Sequence, residues 1–409
     1  MRGMPDDVLS FEKPDLELAA AAVIDATGAD VAYCKFLTPN DTGETASHQA
    51  GFHVAKGAWP VILDHEGMKG QNTDKDWRIC WNGQHITDSR AIYYGQGTRN
   101  EYRLTRFGTD FPYRHPENTG DLWVLTRRAG SSQLNAWVLS SEAAVDEFLG
   151  AFALSPENTN QLLDQRRGRS ATVPDQADRE ARLISEYVAG LPEGLFPTTY
   201  EISRSARAID AQVHRDAAPG LGPDSVIKRW AELEYRIFLA VEERTYGDLV
   251  AEGFETVDEF VDVANRVLNR RKSRAGHSLE NHLAAIFDDA GVGYEAQVRT
   301  EGNRKPDFIF PSAQRYHDRD WPDSRLVFLA AKTTCKDRWR QILNEAARIP
   351  HKHLFTLQQG ITSAQLDEMS EAGVTLVVPA DNKRTFPPEH RDWILSLAEF
   401  IALVREVTV

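Results

Sequence analysis

The 409-residue chain changes texture once along its length, and that change constrains its folding more than any other feature. Up to about residue 150 the apolar and aromatic runs are short: 31–36, 52–55, 91–94, 122–126 and 136–139, separated by Gly, Asn, Asp and Pro. Runs of this length bounded by turn residues predict strands, with 122–126 and 134–140 paired as a hairpin and 141–148 as the helix after it. Between 155 and 223 the chain is polar and broken by Pro174, Pro192, Pro197, Pro219 and Pro223, although 176–189 still reads as a helix. Beyond Pro223, apolar residues return at helical spacing: Val226, Trp230, Leu233, Ile237 and Val241. Helices expected at 256–270, 278–290, 336–349, 363–372 and 391–406 are interleaved with strands at 294–299, 307–310, 326–331, 353–357 and 374–378. The expectation is a mainly β domain over 1–155 and an α/β domain with a central mixed sheet over 181–409, joined by a linker at 156–180.

Charge is the second constraint. Asp and Glu outnumber Lys and Arg by 61 to 47, and a net charge of −14 excludes indiscriminate coating of nucleic acid. A specific reader needs only a local positive surface. Arg266, Arg270, Arg271, Lys272 and Arg274 lie together without an intervening acid, and Lys332, Lys336, Arg338 and Arg340 form a second group offset only by Asp337. A solvated helix end explains the first group. It does not explain the second, which opens an expected helix, where cations are unfavourable. Cys34, Cys80 and Cys335 are too few and scattered for a disulfide framework or a Cys-only zinc site. No run approaches the roughly 20 apolar residues of a membrane helix. The apolar stretch 18–24 follows Asp15 and Glu17, not the basic segment of a signal peptide, so a soluble cytoplasmic protein is expected. Neither G-x-S-x-G, a P-loop nor a dinucleotide fingerprint is present, which leaves hydrolases of that type, ATPases and dehydrogenases unsupported.

The stretch that carries chemistry is Lys305-Pro306-Asp307-Phe308-Ile309-Phe310, followed by Leu329-Ala330-Ala331-Lys332. A carboxylate opens one short strand and a lysine closes another 25 positions later. Carboxylates on neighbouring strands can hold Mg²⁺ beside a phosphodiester, and a lysine there can orient water and stabilise developing negative charge. The usual second acid, two residues before the lysine, is replaced by Ala330; Glu280, beside the apolar face of its helix, is the best substitute. Taken alone, the pattern also fits structural filler. The two basic groups flanking it are what a phosphate backbone requires, and they favour a DNA-facing cleft lined by Arg270, Arg271, Lys272, Arg274, Lys336 and Arg338.

Longer motifs surround these residues. Arg270-Arg271-Lys272-Ser273-Arg274-Ala275-Gly276 with Ser278-Leu279-Glu280, and Thr300-Glu301-Gly302-Asn303 with Lys305-Pro306-Asp307-Phe308, resemble the catalytic domain of EcoRII-type restriction endonucleases. So do Tyr316-His317-Asp318 and the block from Lys332-Thr333-Thr334-Cys335-Lys336 through Asn344-Glu345-Ala346. The resemblance implies a restriction-endonuclease-like fold of the PD-(D/E)XK class and Mg²⁺-dependent double-strand cleavage leaving 5′-phosphates. It implies Glu280 and Asp307 as metal ligands, Lys332 as the water- and phosphate-orienting cation, and Arg271, Lys272, Tyr316 and Lys336 around the scissile phosphate.

The N-terminal half resembles the same family more thinly, through Asn40-Asp41-Thr42-Gly43, His48-Gln49, Arg90-Ala91-Ile92-Tyr93-Tyr94, Thr98-Arg99-Asn100-Glu101 and Pro116-Glu117-Asn118-Thr119-Gly120. This implies a B3-like β-pseudobarrel that binds effector DNA, with His48, Arg99, Glu101 and Arg103 as contacts. On an extended segment, Arg99 and Glu101 share a face and suit a G·C step in the major groove; a surface ion pair is the bland alternative. The family also implies a homodimer engaging two or more copies of a short site of the CCWGG kind, with the N-terminal domain restraining the nuclease. The rival is a DNA-binding regulator with a degenerate, non-cleaving nuclease domain, favoured only by the missing acid at Ala330. His351 and His353 lack a third ligand nearby and read as packed side chains, and Cys335 as a buried structural thiol.

Overall fold

The computed structural model describes residues 9–45, 51–163, 174–214 and 222–408, and positions 164–173 of the expected 156–180 linker lie outside them. Helix α1 (Leu9–Thr27) leads into β1 (Val31–Phe36) and the single turn α2 (Pro39–Thr42). Strands β2 (Phe52–Val54), β3 (Thr73–Trp81), β4 (His85–Tyr94), β5 (Glu101–Thr105), β6 (Leu122–Arg127) and β7 (Gln133–Leu139) follow, then α3 (Glu142–Ala151) and β8 (Gln161–Leu162). They form one sheet in the order β2-β5-β4-β3-β7-β6-β1-β8, antiparallel except where β3 meets β7. On β3 the side chains alternate, with Trp77, Ile79 and Trp81 inside and Arg78 outside, as a half-buried strand requires.

This sheet curls until its ends meet. Lys35 of β1 donates to the His53 carbonyl of β2 at 3.1 Å, although five strands lie between them. The buried Asp41 carboxylate fixes that closure, accepting from the Lys35 ammonium (2.7 Å), the His53 amide (2.7 Å) and the Thr38 amide (2.9 Å). Burial alone would raise the Asp41 pKa, but Lys35 and the other donors outweigh it and hold the carboxyl below its usual range. Inside, Phe52, Trp81, Phe111 and Trp123 meet largely edge to face. Gly51 (φ 109°) enters β2 so close to β5 that a Cβ would lie 2.3 Å from the Leu104 carbonyl oxygen.

The second half runs α4 (Pro174–Ala189), α5 (Thr199–Val213), α6 (Pro223–Glu252), α7 (Val257–Asp289), β9 (Glu295–Ala296), β10 (Phe308–Phe310) and α8 (Ala313–His317). Then come β11 (Val327–Lys332), β12 (Lys352–Thr356), α9 (Ser363–Glu371), β13 (Val374–Val378), β14 (Leu395–Ser396) and α10 (Leu397–Thr408). The sheet order is β14-β13-β12-β11-β10-β9, parallel from β11 to β14 and antiparallel from β9 to β11. Leu329, Phe355 and Val377 pack one face against α7 and α10, while Phe328, Leu354 and Leu376 pack the other against α9 and the turn 338–344. This is the mixed sheet with helices on both faces that the sequence predicts. A further cluster joins the halves: Ala22 of α1 and Phe148 of α3 share a core with Ile202 of α5 and Phe238 of α6. No helix among the described residues is long and apolar enough to cross a membrane.

Several local expectations are corrected. The helices expected at 256–270 and 278–290 are one helix, α7, running through Gly276. A mid-helix glycine costs about 1 kcal/mol, and burial of Arg274 and Ser278 on either side of it and of Leu279 and Leu283 beyond offsets that. The helix expected at 336–349 is a tight 3-10 turn, Arg338–Asn344. Its ends are tied elsewhere: Glu142 accepts the Asp337 and Arg338 amides, and Lys352 Nζ donates to the Glu345 and Ala346 carbonyls.

His351 and His353 pack ring against ring at 5.0 Å, and no group of three metal-ligating side chains forms among the described residues. Burial and then the neighbouring His351 push the His353 pKa down from 6.5 to about 4. His353 is therefore neutral when folded and protonates more readily when unfolded, so its stability contribution is complete above the unfolded pKa and is lost as pH falls from 6.5 towards 4. Lowering the pH from 7 to 5 costs the wild type about 2 kcal/mol through this residue. His353→Gln, compared by thermal melting at the two pH values, shows a correspondingly smaller loss.

Candidate active site

Antiparallel pairing of β10 with β11 places Phe308 opposite Leu329, so Asp307, one residue before β10, faces the end of β11. Its Oδ2 accepts from the Ala331 amide at 2.8 Å and from Lys332 Nζ at 3.2 Å. Helix α7 brings Glu280 to the same edge. There Gln297 Nε2 donates to Asp307 Oδ1 at 3.1 Å and to Glu280 Oε2 at 3.2 Å, linking the two carboxylates through one amide. Burial, and next the Asp307 charge, raise the Glu280 pKa against the pull of His277, Lys332 and Gln297. Glu280, Asp307 and Lys332 thus converge on one sheet edge. Ala330 sits in the apolar cluster with Ile309, Phe328 and Leu354, a poor place for the missing acid.

Glu345 is the residue that sequence reasoning missed. It follows the turn 338–344, 13 positions beyond Lys332. Burial and then the charge of Asp307 push its carboxyl up to about 7, with Lys332 pulling the other way, so it feels both partners of the ion pair. The only signal was an acid just after the basic block, masked by the expected helix. With Asp307 and Glu280 it makes a set of three carboxylates, of which burial raises the pKa of Glu280 and Glu345. Hard oxygen donors raised in this way fit a divalent ion, although no three of them lie close enough to hold one in this conformation.

The Tyr316 hydroxyl is taken up by a neighbouring carboxylate. The Tyr316 side chain is buried and its hydroxyl donates to Glu301 Oε1 at 2.5 Å, while Glu301 Oε2 accepts the Ala347 amide at 3.1 Å. Tyr316 therefore braces, through Glu301, the turn that carries Glu345. Arg274 is corrected from an expected surface contact to a core residue. It is 3% exposed, donates to the Ala153 carbonyl at 3.2 Å and faces Glu234. Arg270 turns inward to the Tyr246 hydroxyl and stacks on Phe196. Burial pushes the Cys335 thiol up, away from reactivity.

The other cations meet carboxylates, most of them from the N-terminal half. Helix α3 presents Glu142, Asp146 and Glu147 along one side. Arg338 pairs with Glu142 at 3.1 Å and with Asp146, and Lys272 with Glu147 at 2.8 Å. Lys336 pairs with the buried Asp121 at 2.5 Å. Arg271 donates to the Ala151 carbonyl at 2.5 Å and pairs with Glu242 of α6. A cleft of about 570 Å³ between the halves is lined by Asp146, Glu147, Arg271, Lys272, Thr333 and Arg338. Burial is the main cause raising the Glu142 pKa, helped by the Asp146 charge, against the Asp337 amide, the Arg338 charge and the Thr334 hydroxyl.

In the curled sheet, Arg99, Glu101 and Arg103 line a cleft of about 510 Å³ with Arg106, Arg114 and His115, which no motif marked. Arg103 is almost buried, donating to the Gly51 carbonyl at 3.2 Å and facing Glu101 at 3.4 Å. Arg99 precedes β5 and lies over Tyr94 at 5.3 Å. His48 lies outside the described residues.

Comparison with known proteins gives a consistent set of relatives. Residues 26–161 match the family described as restriction endonuclease EcoRII, N-terminal, and 238–401 the family EcoRII C terminal. The chain is 38% identical over 394 residues to the type II restriction enzyme EcoRII of Escherichia coli, covering 90% of this chain and 93% of that one. Among solved structures, metal-depleted Ecl18kI in complex with uncleaved DNA gives a TM-score of 0.42 at 17% identity, over 57% of this chain and 84% of the other. A PspGI–substrate DNA complex gives 0.42 at 16%, over 52% and 93%. Within the seam itself, Glu142→Ala removes the acceptor of the Asp337 and Arg338 amides. Hydrogen exchange at those two amides then rises about tenfold or more, whereas unchanged protection would mean that the carboxylate does not hold the turn.

Proposed function

This chain belongs to the EcoRII family of type II restriction endonucleases, and on that premise we propose how it cuts DNA and how it is held in check. Cleavage takes place at the edge where Glu280, Asp307 and Lys332 converge, and that convergence is the observation that carries the reading. Asp307 and Glu280 would hold Mg²⁺, and Glu345, which senses both Asp307 and Lys332, would complete the carboxylate set. Bound there, Mg²⁺ would supply Lewis-acid polarisation of the scissile phosphate and a more acidic water. Lys332, freed from part of its pairing with Asp307, orients that water and offsets charge on the phosphate. The water oxygen bonds to the scissile phosphorus as the P–O3′ bond breaks, the proton that the water gives up ends on the 3′-oxygen as a hydroxyl, and the other end keeps the 5′-phosphate. Because Glu280 and Glu345 supply the carboxylates, the gap at Ala330 lends no weight to a non-cleaving regulator.

Arg271, Lys272, Lys336 and Arg338 take the DNA backbone once the acids now facing them withdraw. The 1–155 unit, a B3-like pseudobarrel joined at 156–180 to the 181–409 nuclease, reads effector DNA with Arg99, Glu101 and Arg103. Arg106 and Arg114 extend the cationic wall of the same cleft. Likeness to the family supports a homodimer acting in the cytoplasm on two or more copies of a CCWGG-like site. Until effector is bound, the carboxylates of α3 and Asp121 occupy the places of phosphates.

Purified Asp307→Asn, Lys332→Ala and Glu345→Gln proteins, each checked for native melting, are to be incubated with Mg²⁺ and multi-site plasmid. Each loses about a hundredfold or more of the cleavage rate. Undiminished cutting by Asp307→Asn or Lys332→Ala would move the active site elsewhere, and undiminished cutting by Glu345→Gln would remove the third carboxylate.

A further inference from the structure

Gln297 is placed in a way that the hydrolytic reading alone does not require. Its backbone adopts φ 54°, in the left-handed region that a glutamine enters at a cost of about 1 kcal/mol. It lies just past the point where β9 stops pairing with β10, with Ala296 opposite Phe308, and its amide nitrogen donates to the Asp307 carbonyl at 3.2 Å. This kink sends an otherwise exposed side chain back across the sheet edge. There the amide group reaches Asp307 Oδ1 at 3.1 Å and Glu280 Oε2 at 3.2 Å. Both acceptors are carboxylates, so the end of the amide that faces them is the NH₂, with one hydrogen for each. A donor shared between two carboxylates stands where a bridging cation would stand.

We infer that the Gln297 amide is a displaceable place-holder for the divalent cation, holding Glu280 and Asp307 apart and in register while the site is empty of metal. The inference rests on the proposed metal site and adds a competitor to it. Without the amide, the two carboxylates face each other with Lys332 and His277 beside them and the Ala331 amide on Asp307 to offset their charge. With it, ion binding requires the NH₂ to swing clear, so part of the ion's affinity is spent on breaking two charge-assisted hydrogen bonds. Gln297 is thus a positioning residue that sets how readily metal enters.

The test is Mn²⁺ binding to the DNA-free full chain, read by electron paramagnetic resonance of the free ion, for wild type, Gln297→Ala, Gln297→Met and Asp307→Asn. Methionine keeps the length of the side chain and removes both donors. Both Gln297 variants bind Mn²⁺ about three- to thirtyfold more tightly than wild type, as expected when a competitor of modest net strength is removed. Their melting temperature also rises more on Mn²⁺ addition than that of wild type. Asp307→Asn abolishes the binding. If Asp307→Asn abolishes binding but the Gln297 variants bind equally or more weakly, the place-holder is overturned and the metal site stands. If no protein binds Mn²⁺, or Asp307→Asn leaves binding intact, the metal site itself falls.

Discussion

Charge compensation across the seam between the two halves is the interaction on which the rest of this structure depends. Lys272, Lys336 and Arg338 on the nuclease side meet Glu147, Asp121, Glu142 and Asp146 on the other. Exposed pairs of this kind contribute little one by one, but Asp121 and Glu142 are buried, and a buried charge stripped of its partner is costly. The halves are also joined by the shared core of α1, α3, α5 and α6, so opening the seam means exchanging one set of anions for another. DNA phosphates are the chemically equivalent set. On the proposed reading, a protein with net charge −14 carries its phosphate-binding cations covered by its own carboxylates.

Behind the seam, register does the positioning. The pairing of Phe308 with Leu329 puts Asp307 against the end of β11, and the parallel pairing of β11 with β12 sets Lys332 beside Thr356 at the same end of the sheet. A slip of one residue in either pair would turn Asp307 or Lys332 to the opposite face. The apolar packing of Phe308, Leu329 and Phe355 against Leu283 and Phe287 of α7 prevents that slip and carries Glu280 to the edge. The turn bearing Glu345 is fastened from the other side by Glu301, Tyr316 and Lys352.

Much of this was legible in the residues. Strand runs at 31–36, 122–126 and 374–378 coincide with β1, β6 and β13, because short apolar stretches between turn formers leave the chain few options. Asp307, Lys332 and Glu280 could be picked out because each sits at an element boundary beside an apolar run. What stayed hidden depends on tertiary partners. Arg274 reads as one more cation in a basic stretch, yet helical geometry turns it inward to Glu234. Tyr316 resembles a site residue by motif and serves as a brace. Glu345 escaped notice because a helix was expected at 336–349, where Glu142, over 190 positions earlier in the chain, takes the first amides and leaves a tight turn instead. The pairing of Lys336 with Asp121 across the seam could not be read from periodicity at all.

The central claim is that acids of the N-terminal half stand in for DNA phosphates on the nuclease. Its most direct measurement is the cleavage rate of a DNA carrying a single recognition site by the full chain with Asp121→Asn, Glu142→Gln and Asp146→Asn combined, its fold confirmed by circular dichroism. Neutralising these groups uncovers Lys336 and Arg338, and the account predicts single-site cleavage about tenfold or more faster than wild type. A folded triple variant that cuts single-site DNA no faster than wild type would contradict it.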